Sequence, residues 1–199
     1  MSGNTKEQFL VEAMRLFASK GFYGASIANI ADALGLTKQA LLHHFGTKEK
    51  LYGEVLERLS SRMVRDVVAA PPDDPKDPGS QLENALMALC RNGLENPEST
   101  QLIMRELLDN KQRAEQAGTW YLKPFLEGLI ALVKKEPGHE DKSDAQALAL
   151  AYQLLGAMNY FLVSEPTLRQ MFGETYYNEM KDRYPDEYKS LIRARLAVP

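Results

Sequence analysis

The stretch at residues 26–51, SIANIADALGLTKQALLHHFGTKEKL, decides the fold of this chain. Its apolar residues recur at helical spacing on both sides of Gly35, a residue type that ends helices in the left-handed conformation. Ser26 and Thr37 precede the two helical runs, and their hydroxyls can cap a helix N-terminus. The pattern predicts two short helices joined by a tight turn, which is a helix-turn-helix.

The second helix of this motif has a packing side and an outward side. Thr37, Leu41 and Phe45 share the packing side because they are four residues apart. A DNA major groove accepts side chains that pair with base edges or touch a thymine methyl group. The outward side carries a cation, an amide, an aliphatic tip and an imidazole, from Lys38, Gln39, Leu42 and His43. We therefore predict that this side contacts DNA; the alternative, a solvated helix face, leaves Leu42 exposed without a reason.

A third helix begins directly after Gly46, where Thr47 can cap its N-terminus. Its first turn contains Lys48 and Lys50, although the helix macrodipole favours anions at that end. A DNA phosphate close to these lysines would offset the mismatch. The sequence thus predicts phosphate-binding cations beside the helix that contacts DNA.

The same residues resemble the N-terminal signature of TetR-type transcriptional repressors, over about residues 6–59. The resemblance is specific because apolar spacing, turn glycine and capping hydroxyls all fall in register with it. The matching positions are Gly21-Phe22-Tyr23, Ser26, Ile30-Ala31, Leu34-Gly35-Leu36-Thr37, Leu41, His44-Phe45, Lys48 and Leu51.

We predict DNA contacts for eight residues: Ser26, Thr37, Lys38, Gln39, Leu42, His43, His44 and Lys48. In the family pattern His44 and Lys48 meet backbone phosphates, which position the protein rather than read sequence. The chain departs from the pattern twice. Gln39 stands where the family usually has a small residue, and it offers an additional base contact. Leu42 stands where the family usually has a tyrosine that touches the DNA backbone.

Charge is distributed unevenly along the chain. Of 24 Lys/Arg and 27 Asp/Glu, nine and seven lie in residues 1–68, a net of +2, which leaves 15 minus 20, or −5, for the rest. The basic part is the one that carries the helix-turn-helix. A net of +2 is modest, so we expect DNA affinity to come from a few placed cations, doubled by dimerisation.

Length and composition predict an ordinary cytoplasmic protein. The 199 residues, 44% of them hydrophobic, suffice for a buried core in one domain or in a small module plus a larger one. No apolar run approaches the roughly 20 residues of a membrane span, and the N-terminus lacks the pattern of a secretory signal. We expect no membrane association. The single cysteine, Cys90, is predicted to be a buried apolar residue rather than a redox sensor.

The helical patterns divide the chain into two parts. We predict a DNA-binding domain with its connector helix at 1–68 and a larger ligand-binding and dimerisation domain at 80–199. Between them, residues 69–79 contain four prolines and an acidic cluster, which resist helix and strand. Capping patterns at Ser80 and Ser143 begin further helices, and Pro124 predicts a break near Lys123. With no alternating segment, the predicted class is all-α.

The resemblance also implies a small-molecule pocket in the larger domain, for a mainly apolar or aromatic effector. Arg105 and Glu106 are possible polar anchors for such a ligand. Methionine and aromatic residues at helical spacing are more often ordinary core, which is the alternative for most candidates. The candidates are Met87, Met104, Trp120, Tyr121, Phe125, Tyr152, Met158 and Asn159.

One late helix, beginning after Ser143, is apolar on more than one side and must therefore be covered on several sides. Gly156 within it allows another helix to approach closely, and Pro166 begins a following helix. The family resemblance implies a four-helix bundle across a twofold axis at this place. The predicted homodimer contacts are Leu155, Gly156, Tyr160, Leu168 and Phe172.

Together these patterns predict a dimeric, ligand-responsive repressor that binds a near-palindromic double-stranded DNA operator. We expect no enzyme activity and no cofactor, because the sequence has no phosphate loop, nucleophile elbow or metal-binding motif. No metal site is expected at His43 and His44 either, since adjacent helical residues point about 100° apart. The alternative is a helical protein-interaction module that uses the helix-turn-helix as a scaffold.

Overall fold

The computed structural model of the chain describes residues 2–72, 76, 79–109 and 121–197. Within these ranges the chain forms helices and no strand, which confirms the predicted all-α class. In chain order the described helices are α1 Ser2–Gly24, α2 Ile27–Asp32, α3 Lys38–Phe45, α4 Lys48–Ala69, α5 Gln81–Glu95, α6 Pro97–Asp109, α7 Lys123–Val133, α8 Asp144–Val163, α9 Glu165–Phe172 and α10 Glu174–Leu196.

By their internal contacts, the helices form two compact units. The first contains the described parts of residues 1–60 and 98–121, and the second contains those of 61–97 and 122–199. Helix α6 thus belongs with the N-terminal helices, although it follows α5 of the second unit. The predicted domain limits, 1–68 and 80–199, follow chain order and stay a prediction; residues 73–75 and 77–78 of the stretch between them lie outside the described ranges.

The first unit is organised around α1. Phe9, Ala13 and Phe17 are spaced by four residues and are fully buried, as helical periodicity predicts. The ring of Phe17 packs edge-on against Tyr52 of α4, with 4.8 Å between ring centroids. The helix begins at Ser2, earlier than the capping pattern near Thr5 indicates, and it bends at its other end.

That bend lies at Gly21, whose φ of 72° and ψ of 171° are not helical. The sequence predicts the end of the helix at this glycine, and the backbone indeed leaves the helical path here before a last turn reaches Gly24. A positive φ costs little at glycine because it has no Cβ. The bend directs the chain toward α2.

The core of the second unit centres on α8. Its buried side chains face more than one direction, including Leu150, Leu154 and Phe161. Ser143 and Gln146 form the predicted capping box, with hydrogen bonds of 3.2 and 2.9 Å. By length and composition α8 is the described helix that could cross a membrane, with a mean hydropathy of 1.2. Burial in the core of the second unit accounts for this composition.

The predicted helix starts at the two prolines are also present. Pro124 lies in the first turn of α7, which begins at Lys123, and Pro166 lies in the first turn of α9. Proline fits there because its missing N–H would have no intrahelical partner. The chain therefore restarts its helices where the sequence indicates.

A buried ion pair joins the start of α5 to α10. Ser80 caps α5 by accepting a hydrogen bond from the Glu83 backbone N–H at 3.1 Å. The predicted capping box is only half formed, because the Glu83 carboxylate accepts two hydrogen bonds of 2.7 Å from Arg193. Lys189 lies 3.8 Å from the same carboxylate. Glu83 is 3% exposed, so these partners offset the cost of burying its charge.

Candidate nucleic-acid interface

The first helix of the motif is fixed by its cap and its buried side. The Ser26 hydroxyl oxygen accepts a hydrogen bond from the Asn29 backbone N–H at 3.0 Å, as predicted for an N-cap. Ile30 and Ala31 are fully buried. After α2, the backbone turns at Gly35 with a φ of 66°, a conformation that side-chain-bearing residues rarely adopt. The turn therefore needs the glycine that the sequence supplies.

Helix α3 follows the turn and has the two sides that its sequence predicts. The Thr37 hydroxyl oxygen caps it by accepting a hydrogen bond from the Ala40 backbone N–H at 3.1 Å. Leu41 and Phe45 are buried against the rest of the unit. The residues on the other side are outward: Lys38, Gln39 and His43 are exposed and Leu42 is half-buried. The packing side is confirmed for Leu41 and Phe45, but Thr37, also predicted there, is exposed because its hydroxyl caps the helix. Contact with DNA stays a prediction.

Helix α4 begins next to the end of α3. Gly46, with a φ of 76°, ends α3, and the Thr47 hydroxyl oxygen accepts a hydrogen bond from the Lys50 backbone N–H at 3.2 Å. Glu49 supplies an anion in this first turn. Hydrogen bonds from its own backbone N–H and from the Thr47 hydroxyl hold the pKa of the Glu49 carboxyl below its usual value. Cations and one carboxylate thus share the N-terminus of α4.

Two residues implied as phosphate contacts rest on aromatic rings. The Lys48 Nζ lies 4.4 Å from the centroid of the Phe22 ring, a cation–π distance. The His44 ring lies 5.9 Å from the Phe9 ring and 6.1 Å from the Phe45 ring. Both side chains are half-buried. The Lys48 ammonium and the His44 imidazole therefore contact aromatic residues of the first unit.

Other basic side chains of the first unit are engaged by carboxylates. Lys6 Nζ lies 2.7 Å from Glu54, and Arg58 is paired with both carboxylate oxygens of Glu7. The Arg58 guanidinium lowers the pKa of the Glu7 carboxyl. These pairs partly neutralise charge that the sequence counts as available to DNA. The cations on the outward side of α3 and at the start of α4 thus matter more than the net charge.

Helix α6 forms hydrogen bonds with α1 and α4 of the first unit, which the sequence does not indicate. Arg105 donates hydrogen bonds of 2.6 and 2.8 Å to the backbone carbonyls of Ala18 and Ser19, near the bend in α1. Beside it, the Tyr52 hydroxyl donates a hydrogen bond of 2.7 Å to Glu106. The sequence suggested Arg105 and Glu106 as ligand anchors, but both engage the first unit. No local sequence pattern predicts a hydrogen bond between residues 87 positions apart.

This geometry agrees with a family comparison. Residues 9–55 match the bacterial regulatory proteins described as the tetR family. The helix-turn-helix of this chain is a TetR-family domain. A relative, the HTH-type transcriptional repressor AcnR of Corynebacterium efficiens, is 31% identical over 109 residues, which cover 55% of this chain and 50% of that protein. The chain spans about half the length of the curated relatives it matches.

Solved TetR-family structures share the fold over nearly the whole chain. A TetR-like transcriptional regulator from Rhodococcus sp. RHA1 covers 97% of this chain and 96% of its own, with a TM-score of 0.61 and 20% identity. A TetR transcriptional regulator from Legionella pneumophila covers 92% and 96%, with a TM-score of 0.62 and 17% identity. These comparisons confirm the predicted family and the N-terminal helix-turn-helix followed by a larger helical part.

The predicted pocket residues are scattered over both units. Met87, Phe125 and Met158 lie together in the buried cluster of the second unit. Tyr152 is 47% exposed on α8, and Asn159 is half-buried. The other candidates do not join this cluster: Met104 and Tyr121 are half-buried residues of the first unit, and Trp120 lies outside the described residues.

The predicted dimer residues also divide into two groups. Leu155 is buried in the core of the second unit, and Leu168 packs against that core. Gly156, Tyr160 and Phe172 face outward. Tyr160 is 78% exposed, and a Cβ built on Gly156 would meet no atom within 4 Å. Gly156, Tyr160 and Phe172 are thus accessible to a second copy of the chain, whereas Leu155 and Leu168 pack within their own chain.

Proposed function

We propose that this chain is a transcriptional repressor that acts in the bacterial cytoplasm as a homodimer. It binds a near-palindromic DNA operator through two copies of the helix-turn-helix, and a small apolar or aromatic effector releases it. The observation that carries this proposal is the outward side of α3. Lys38, Gln39 and His43 project there from a helix whose opposite side is buried and whose N-terminus is capped.

DNA binding is supported by chemistry as well as by shape. A capped helix with donors, acceptors and one apolar tip on its free side fits the donor and acceptor pattern of a major groove. At the start of α4, Lys48 and Lys50 offer cations for phosphates on the flank. The name of the AcnR relative describes a repressor, and repression enters the proposal from there.

Homodimerisation is supported by an exposed stripe along α8. Tyr152, Gly156 and Tyr160 are four residues apart and face outward together. Phe172 of α9 is 52% exposed as well. A second copy laid on this stripe would bury aromatic surface and approach closely at Gly156. Pairing matters for function because an operator with two half-sites needs two recognition helices about 34–36 Å apart.

Release by an effector follows from the same spacing requirement. A ligand that binds better to a dimer with wrongly spaced α3 helices would shift the population away from the DNA-binding form. Met87, Phe125 and Met158 offer a buried apolar environment in the second unit. Methionine side chains adapt their shape to a ligand at low cost. These three residues are our proposed lining for the effector.

The experiment is a selection from random DNA duplexes with the purified full chain. We expect enrichment of a near-palindromic sequence whose affinity falls steeply between about 50 and 200 mM salt, since bound phosphates release counterions. Lys38→Ala should weaken binding. Lys123→Ala is the matched control, because this exposed lysine lies in the second unit. If no duplex is enriched, the protein-interaction alternative replaces the proposal.

A further inference from the structure

The outward side of α3 carries two uncharged side chains that can contact base edges. Gln39 is exposed in the first turn of the helix, and Leu42 is half-buried one turn later. Gln39 is uncharged, and Leu42 has no polar atom on its side chain. Neither residue can contribute the ionic term that dominates non-specific DNA affinity. Their value to the protein therefore lies in the bases that they meet.

The amide of Gln39 selects one base by its pattern of donors and acceptors. It offers one N–H donor and one oxygen acceptor side by side, and adenine presents the complementary pair, N7 and the N6 amino group, in the major groove. Guanine presents two acceptors there, so the amide oxygen would face another oxygen or nitrogen lone pair. Cytosine and thymine offer a donor or an acceptor alone. Adenine is the base that satisfies both halves of the amide.

Leu42 selects by apolar contact. Contact between its methyl groups and another apolar group removes apolar surface from water and so favours binding. The thymine C5 methyl is the apolar group that base edges display in the major groove. Three residues of helix separate Leu42 from Gln39, a rise of about 4.5 Å. Successive base pairs rise by about 3.4 Å. The two side chains therefore reach neighbouring or next-neighbouring base pairs.

Resting on the proposed function, we infer that each operator half-site carries an adenine read by Gln39 and, one or two base pairs away, a thymine read by Leu42. These two residues then set the sequence preference of the repressor. Lys48 and Lys50 supply affinity that differs little between sequences.

The test uses the selected duplex with single atoms or groups removed from its bases. Deoxyuridine in place of thymidine removes the C5 methyl, and 7-deazaadenine in place of adenine removes N7. We expect the unaltered protein to lose about fourfold affinity per half-site from the first change. From the second we expect a loss of about two- to tenfold.

Variants then assign each loss to a side chain. Leu42→Ala should become insensitive to the missing methyl and stay sensitive to the missing N7, and Gln39→Ala should show the reverse. Lys50→Ala is the matched control: its affinity should fall for every duplex while both sensitivities persist. Gln39 is exposed and Leu42 is half-buried, so thermal unfolding should be unchanged in Gln39→Ala and should stay cooperative in Leu42→Ala, which shows that both variants fold.

The outcome that overturns this inference differs from the one that overturns the proposed function. If a duplex is enriched but neither base change at any position affects binding, or if both variants keep both sensitivities, the inference is wrong and DNA binding stands. If the selection enriches no duplex, the proposed function fails and the inference fails with it.

Discussion

At the scale of single residues, burial decides the chemistry of the side chains in the second unit. The Cys90 thiol is fully buried, as its sequence setting predicts, and burial raises its pKa to about 11. Burial likewise raises the pKa of Tyr184 to about 12, and it raises the pKa of Tyr188 further. The Tyr188 hydroxyl donates a hydrogen bond of 3.1 Å to the Leu154 carbonyl. These groups favour their neutral forms in the folded chain.

The raised pKa of Cys90 predicts a loss of stability at alkaline pH. The unfolded thiol releases its proton near its ordinary pKa of 9.0, while the folded thiol keeps its proton until about pH 11. The unfolded state therefore binds fewer protons over this interval, and the free energy of unfolding should fall as pH rises from 9 toward 11. Denaturant unfolding at a series of pH values measures this fall. Cys90→Ala should make it shallower; an equally steep fall in that variant would contradict the assignment.

At the scale of the elements, caps and glycines set the boundaries of the helices that carry the motif. Ser26 and Thr37 cap α2 and α3, and each cap is worth roughly 1 kcal/mol. Gly35 forms the turn between them, and an added Cβ there would meet no atom within 4 Å. Any penalty for a side chain at Gly35 is therefore a backbone penalty. The size of this penalty can be measured by comparing alanine at Gly35 with alanine at a glycine inside a helix.

We predict that Gly35→Ala and Gly128→Ala change stability in opposite directions. The positive φ of 66° at Gly35 is strained for alanine by about 1–2 kcal/mol, so this variant should unfold more easily. Gly128 lies inside α7, and an added Cβ would make an ordinary contact of 3.9 Å with Val67. Alanine there should raise the free energy of unfolding by about 0.5–1 kcal/mol. Chemical denaturation of both variants tests the pair, and shifts of the same sign would refute it.

At the scale of the whole molecule, the proposed function requires two copies, and the exposed surface of the second unit bears on that requirement. Monomeric proteins expose single apolar residues without consequence, but grouped ones mark contact sites. Tyr152 and Tyr160 lie on one side of α8, and the stacked rings of Phe172 and Tyr176 are exposed nearby in sequence. The acidic net charge of residues 69–199 discourages non-specific attraction to DNA. The N-terminal motif is then the part of the chain suited to approach it.

We expect Tyr160→Arg to convert the dimer to monomers without unfolding them. Tyr160 is 78% exposed, so arginine fits the monomer, but two arginines would face each other near the proposed twofold axis. Light scattering should show half the mass, and operator affinity should fall because each monomer binds one half-site. Val68→Arg changes another exposed residue, 71% accessible, and should stay dimeric. A dimeric Tyr160→Arg variant would exclude this surface.

By itself the sequence determined what depends on neighbours a few residues apart. Capping hydroxyls, the left-handed glycines and the spacing of apolar residues act within one or two helical turns, so the motif, the two sides of α3 and the starts of α7, α8 and α9 were all predictable. Contacts between residues far apart in the chain were not predictable. Arg105 lies 87 positions from Ala18, and Arg193 lies 110 from Glu83, so only packing decides that they meet. Packing also decided that Leu155 is buried while Tyr160 is exposed. Helical periodicity shows that α8 has several apolar sides, but it does not show which of them the rest of the chain covers.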